Sequence, residues 1–172
     1  MPRVFVSVGS NVDPETNVKR AIHLLQPELG VRAISTFYRT PALKRSADPP
    51  FVNGVVEVGD ALGPLEVKKR LRQIEQSLGR ERTADRFAPR TMDLDLIIYG
   101  DEVISSGELT LPHPDIVERP FVAIPLLELA PDLILPDSRK PLRSLVSSMA
   151  PYPMQPLGEL TRQLRTEVAH GS

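Results

Sequence analysis

At 172 residues, with 41% hydrophobic and 25% charged side chains, the chain has the make-up of one ordinary globular domain with a sizeable core. A net charge of −1 leaves no overall basic footprint for nucleic acid, and the absence of cysteine excludes disulfides, thiolate zinc sites and a cysteine nucleophile. The opening "MPRVFVSVGSN" lacks a signal-peptide pattern and the longest apolar run, "FVAIPLLELA", is too short for a bilayer, so a cytoplasmic protein without a membrane partner is expected.

In chain order, "RVFVSVG" is β-rich and ends at Gly9. "NVDPETNVKRAIHLLQPEL" reads as a helix, with Asp13 as N-cap, Pro14 in the first turn and Val18, Ile22 and Leu25 at helical spacing. "VRAISTFYRT" is a second strand closed by Pro41, and the polar "KRSADPP" is a loop. "FVNGVVEVG" is a third strand. "GPLEVKKRLRQIEQSLG" is a second helix whose Val67, Leu71, Ile74 and Leu78 form a core stripe, with Gly79 as C-cap. A polar loop, "RERTADRFAPR", leads into the strand "TMDLDLIIYG". The order β-α-β-β-α-β is the split pattern of a ferredoxin-like α+β sandwich. Beyond it, "EVISSGELTL" suggests a hairpin, "RPFVAIPLLELAP" and "PLRSLVSSMA" further helices, and "GELTRQLRTEVAH" a helix-like segment in a C-terminal tail. The boundaries read as 1–150 and 151–172.

The fourth long strand carries the chemistry. Met92, Leu94, Leu96 and Ile98 alternate with Asp93, Asp95, Ile97 and Tyr99, so both aspartates are expected on one face, roughly 6.5 to 7 Å apart. Two like charges on an apolar strand are costly unless something cationic sits against them. Hard divalent cations want carboxylate oxygens, and Mg²⁺ takes one or two of them plus substrate phosphates. A D-x-D pair by itself is equally compatible with two solvated surface residues. Its setting shifts the balance: Arg80, Arg82, Arg86 and Arg90 precede it, and residues 66 to 90 carry eight Lys or Arg against four acids. Guanidinium groups match phosphate oxygens bidentately, so the combination suits a polyphosphate held with metal.

No P-loop and no G-x-G-x-x-G occurs, nor a nucleophile elbow with a Ser-His-Asp order. In "LPHPDIVERPF", His113 lies between two prolines with Arg119 and Phe121 close behind. The prolines fix its backbone as a site would require, though a lone histidine is more often structural than functional. In "FVNG", Asn53 lies where a planar amide could read the edge of a heterocycle, or equally serve as a buried, backbone-satisfied residue.

Taken together, "VGSN", "FYRTPAL", "FVNGVVEV", "IEQSLGR", "RFAPRTMDLDLIIYG" and "LPHPDIVERPFVAIPLLELAPD" resemble the 6-hydroxymethyl-7,8-dihydropterin pyrophosphokinases of folate biosynthesis, collinearly from about residue 4 to residue 137. The resemblance implies a ferredoxin-like fold and transfer of the β,γ-diphosphate of ATP to the pterin's hydroxymethyl oxygen, releasing AMP. By position it implies that Asp93 and Asp95 bind two Mg²⁺ ions and that Arg80 and Arg90 contact the phosphates as charge shifts. Glu75, Arg82, Arg86, Leu96, Thr110, His113 and Arg119 would complete the ATP site. The pterin would lie between Phe51 and Phe121, with Thr40, Pro41, Leu43 and Asn53 at its edge and Phe87 where the family often has Trp. The chain also departs from the family with Glu108 and Pro114, where Arg and Tyr are common, on the nucleotide side. A monomer acting on two small molecules, with no nucleic-acid partner, is expected.

Two other readings use the same residues. A non-catalytic ferredoxin-like module for nucleotides or RNA would normally show aromatics on its central strands, and the third strand offers only Phe51. A two-metal phosphodiesterase would normally show more carboxylate or His ligands.

Overall fold

The computed structural model describes residues 2–42, 49–79 and 92–170. Six strands form one antiparallel sheet: β1 (Val4–Ser10), β2 (Val31–Ile34), β3 (Tyr38–Thr40), β4 (Phe51–Val58), β5 (Asp93–Tyr99) and, far along the chain, β8 (Gln155–Pro156). Their order is β5-β1-β4-β3-β8, with β2 also paired to β4. Helices α1 (Pro14–Leu29) and α2 (Pro64–Ser77) connect strands of this sheet, and α6 (Gly158–His170) follows β8. A small hairpin, β6 (Ile104–Ser105) with β7 (Thr110–Leu111), leads to α3 (Asp115–Glu118), α4 (Pro120–Leu129) and α5 (Leu142–Ser147). No helix among the described residues is long and apolar enough to cross a membrane.

The two faces of the sheet bury different partners. Val4, Val6, Val8, Val52, Val56, Leu94 and Leu96 pack on the stripes of α1 (Val18, Ile22, Leu25) and α2 (Val67, Leu71, Ile74). Leu160 and Leu164 of α6 join this core, and Leu157 N donates to Phe37 O at 2.8 Å, so residues after 150 close one end of it. On the other face Phe5, Val55, Ile97 and Ile98 pack against Ile116, Val122, Ala123 and Leu126. This second core lies over the end of the sheet where Phe5 pairs with Glu57 and Ile98 and reaches Val55 in the next row. The neighbouring rows, Asp95–Ser7–Val55 and Asp93–Gly9–Asn53, carry the polar residues.

Two local expectations are corrected. The expected second strand is two, because Ser35 inserts its hydroxyl into the ladder: Val55 N donates to Ser35 Oγ at 2.9 Å and Ser35 N to Val55 O at 2.9 Å. The next residues then turn Phe37 fully into the core against Gly54, where a Cβ would lie 2.6 Å from the ring. Alternation along β5 fails after Leu96. The β1–β5 register shifts there, so Ile97 and Ile98 both enter the second core and Tyr99 packs on the first, its hydroxyl donating to Leu62 O at 2.6 Å. Such a bulge inserts one residue and reverses the side-chain phase beyond it, leaving Asp93 and Asp95 in phase before it. Asp13 stands at the N-cap of α1 as expected, with its backbone left-handed at φ 45° and no side-chain cap hydrogen bond, and Asn17 Nδ2 donates to Val12 O at 2.6 Å. Pro125 lies inside α4, four residues from its C-terminal end.

Candidate active site

Asp93 and Asp95 share the second face of the sheet, each half-buried. Opposite them on β1 stand Gly9 and Ser7, which put little bulk over the strand. On β4, paired with Gly9, the Asn53 side chain leans across: a Cβ on Gly9 would lie 2.6 Å from Asn53 Oδ1. Asn53 Nδ2 donates to Thr40 Oγ1 at 2.7 Å, and both residues are buried. Carboxylates, a shallow glycine floor and a fixed amide thus lie in adjacent rows of one sheet face.

Burial and the nearby Asp93 charge push the Asp95 carboxyl up to about 7, with Glu75 and Asp115 adding to the effect and Arg72 opposing it. Arg72 is the cation that the strand pattern called for. Its Nη2 lies 3.7 Å from Asp95 Oδ1, while Nη1 donates to Glu75 Oε1 at 2.9 Å and to Leu94 O at 3.2 Å. Glu75, itself buried, accepts Leu94 N at 2.8 Å through Oε2. One Arg–Glu pair on α2 therefore staples the helix to β5 beside the aspartates. Sequence reasoning counted Arg72 only as part of a basic stretch; its i,i+3 spacing to Glu75, on the flank of the apolar stripe, was the available signal.

No group of three or more His, Cys, Asp or Glu side chains able to hold a metal forms among the described residues. The donor set is thus two carboxylates, which fits Mg²⁺ shared with phosphate oxygens better than a metal caged by protein alone.

Next to the pair, a cleft of about 180 Å³ opens between α2, β5 and the β6–β7 hairpin. It brings together Leu96, Thr110 and His113 with Asp95, Arg72 and Lys68, and Glu108 and Pro114 also line it. His113 is held from both sides: its N–H donates to Ile97 O at 3.0 Å and its Nδ1 accepts Asp115 N at 3.1 Å, leaving Nε2 as the ring's donor. The preceding Leu111–Pro112 bond is cis. Glu75 does not line this cleft; it sits behind Arg72. Arg119, half-buried, forms the N-cap of α4. A larger hollow of about 420 Å³ beside α6, lined by Thr36, Thr161 and Arg165 among others, contains none of the expected site residues.

On the far side of Gly9, Phe51 begins β4 and Pro41 follows β3. Phe121, in the first turn of α4, meets Tyr152 with ring centroids 5.9 Å apart and planes at 48°. The Tyr152 hydroxyl donates to Pro41 O at 3.4 Å. Tyr152 was not singled out from sequence, since it lies in a tail with no motif around it. Leu43, Arg80, Arg82, Arg86, Phe87 and Arg90 lie outside the described residues.

Residues 5–131 match the family 7,8-dihydro-6-hydroxymethylpterin-pyrophosphokinase (HPPK). A Synechocystis sp. protein named 2-amino-4-hydroxy-6-hydroxymethyldihydropteridine pyrophosphokinase is 38% identical over 168 residues, covering 94% of this chain and 85% of the relative. A Pseudomonas aeruginosa protein of the same name is 39% identical over 140 residues, covering 80% of this chain and 86% of the relative. Among solved structures, wild-type Plasmodium falciparum HPPK-DHPS with pteroate superposes with a TM-score of 0.68 at 13% identity. That match covers 85% of this chain but 44% of the Plasmodium chain, so this protein spans under half the length of that one.

Proposed function

The chain belongs to the 7,8-dihydro-6-hydroxymethylpterin-pyrophosphokinase family, and on that premise we propose that it transfers the β,γ-diphosphate of ATP to the hydroxymethyl group of 6-hydroxymethyl-7,8-dihydropterin. The hydroxymethyl oxygen forms a bond to the β-phosphorus, the bond from that phosphorus to the α,β-bridging oxygen breaks, and AMP leaves carrying that oxygen. The observation that carries this reading is the pair of adjacent rows Asp93–Gly9–Asn53 and Asp95–Ser7–Val55. An acidic pair and a buried amide in adjacent rows of one sheet face support a substrate whose reacting end lies by the carboxylates and whose ring lies by the amide.

In this reading Asp93 and Asp95 would hold two Mg²⁺ ions, which would supply positive charge to offset the negative charge of the phosphates. Arg80 and Arg90 take up phosphate charge from the protein side, and Arg82, Arg86, His113 and Arg119 bind the nucleotide. Leu96 and Thr110 wall the cleft beside Asp95, while Glu75 acts from behind by fixing Arg72. Asn53 and Thr40, already joined to each other, present the pterin's hydrogen-bonding partners, with Pro41 after β3. Phe51 and Phe121 cover the pterin's faces, and Leu43 and Phe87 are taken as further pterin contacts from their sequence positions. Little covalent chemistry is asked of the protein; positioning and electrostatics supply the rate.

The strand order, with α1 and α2 on one face, supports a ferredoxin-like βαββαβ sandwich extended by C-terminal helices. We take the working form to be a cytoplasmic monomer. The test is nucleotide chromatography after incubation with MgATP, with and without the pterin. AMP that forms only when the pterin is present is expected. ADP, or AMP formed equally without pterin, would overturn the reading in favour of γ-transfer or of a phosphodiesterase, and no turnover would favour a binding module.

A further inference from the structure

Tyr152 joins two residues that are more than 75 positions apart in sequence. Its ring packs on Phe121 at 5.9 Å, and its hydroxyl reaches Pro41 O at 3.4 Å. Phe121 and Pro41 are both on the proposed pterin side, whereas Tyr152 lies beyond the residues 5–131 that match the family. Its segment is firmly anchored. Gln155 and Pro156 pair with Arg39 and Tyr38 on β3, Phe37 N donates to Thr161 Oγ1 at 2.9 Å, and Leu160 and Leu164 are buried in the core. The tail is thereby held along β3 with Tyr152 at the end nearest Pro41.

We propose that Tyr152 is a positioning residue for pterin binding, holding the Phe121 ring in the orientation that covers the pterin and tying α4 to the end of β3. The inference rests on the reading of Phe121 and Pro41 as pterin contacts. Aromatic pairs favour tilted, offset geometries at such centroid separations, so the ring contact carries the positioning. At 3.4 Å the hydroxyl bond is long for an O–H donor and adds little. Burial raises the Tyr152 hydroxyl's pKa against the opposing charge of Arg119, in keeping with a packed, uncharged ring. Tyr152 is not among the residues that line the cleft assigned to the nucleotide.

The experiment is calorimetric titration of the full chain with 6-hydroxymethyl-7,8-dihydropterin in the presence of Mg²⁺ and a non-hydrolysable ATP analogue, and separately with the Mg²⁺–analogue complex alone. Tyr152→Ala is expected to weaken pterin binding about fivefold to tenfold, the size of a lost aromatic pair, while the nucleotide analogue binds within about twofold of wild type. Tyr152→Phe, which keeps the ring, is expected to restore pterin affinity. Tyr152→Leu, which keeps apolar bulk for the tail, is expected to behave as Tyr152→Ala does, and circular dichroism confirms which variants fold. Unchanged pterin affinity in folded Tyr152→Ala or Tyr152→Leu, or equal weakening of both ligands, overturns the inference while the pterin reading stands. Failure of the wild type itself to bind the pterin overturns that reading, and the inference with it.

Discussion

The Arg72 guanidinium lies 3.7 Å from the Asp95 carboxylate, Nη2 to Oδ1, and the same group donates to the buried Glu75 at 2.9 Å. A cation from α2 therefore faces the proposed metal-holding pair and offsets part of its mutual repulsion. In the metal-free protein this contact makes an acidic pair on an apolar sheet tolerable.

Removing that cation isolates its worth. Arg72→Met removes the guanidinium that Glu75 Oε1 accepts from, and takes the counter-charge from Asp95. Deleting one partner of a fully buried ion pair costs about 3–5 kcal/mol; Arg72 is 29% exposed, so about 1–3 kcal/mol is expected here. Urea unfolding in EDTA measures it, and a loss under about 0.5 kcal/mol would show that the staple between α2 and β5 is ornamental.

The pH dependence follows from Asp95. Its carboxyl is raised to about 7 in the fold, above the unfolded value of 3.8, so the folded state binds the proton more tightly. The contribution is fully present below about pH 4 and is lost as pH rises through about 7. Three units correspond to about 4 kcal/mol at most, and with the side chain 23% exposed roughly 1–3 kcal/mol is expected. Urea midpoints in EDTA at pH 5 and pH 8 should therefore fall for wild type relative to Asp95→Asn, whose amide cannot ionise. Parallel pH profiles for the two proteins would remove Asp95 as the source.

Gly9 tests the amide on the pterin side. Gly9→Ala puts a Cβ 2.6 Å from Asn53 Oδ1, and the side chain must swing away from Thr40 to relieve it. The cost to folding is about 1–3 kcal/mol, as for an overpacked core, and the fold is expected to survive. The KM for the pterin is expected to rise about tenfold or more, from an amide that no longer points at its partner, while the KM for ATP is unchanged. Steady-state kinetics with each substrate varied reads this, and equal increases in both KM values would mean the strand itself had moved.

How much of this was legible in the sequence depends on the type of signal. The element order could be read because the stripes of α1 and α2 have helical period and lie between β-rich runs. The bulge after Leu96 could not: Ile97 and Ile98 are both apolar, so either side-chain phase satisfies a buried strand. Nor could the break at Ser35, which depends on a hydroxyl standing in for a carbonyl opposite Val55, a contact 20 residues away. The site divides similarly. Asp93, Asp95 and His113 were singled out through motifs and Glu75 through the family resemblance, but Arg72 looks like part of a solvated helix face until β5 is packed beside it. The four-residue α3 is too short for any periodicity to announce it.

The central claim is that Asp93 and Asp95 form the metal-and-phosphate centre of a diphosphoryl transfer, and phosphorus NMR of wild type and Asp95→Asn with MgATP and 6-hydroxymethyl-7,8-dihydropterin tests it most directly. Wild type should convert the ATP signals into AMP and a pterin diphosphate in equal amounts. Asp95→Asn, folded as circular dichroism would show, should do so slower by on the order of a thousandfold, from several kcal/mol of lost transition-state stabilisation. Signals of ADP with a pterin monophosphate, or near wild-type turnover in Asp95→Asn, would contradict the account.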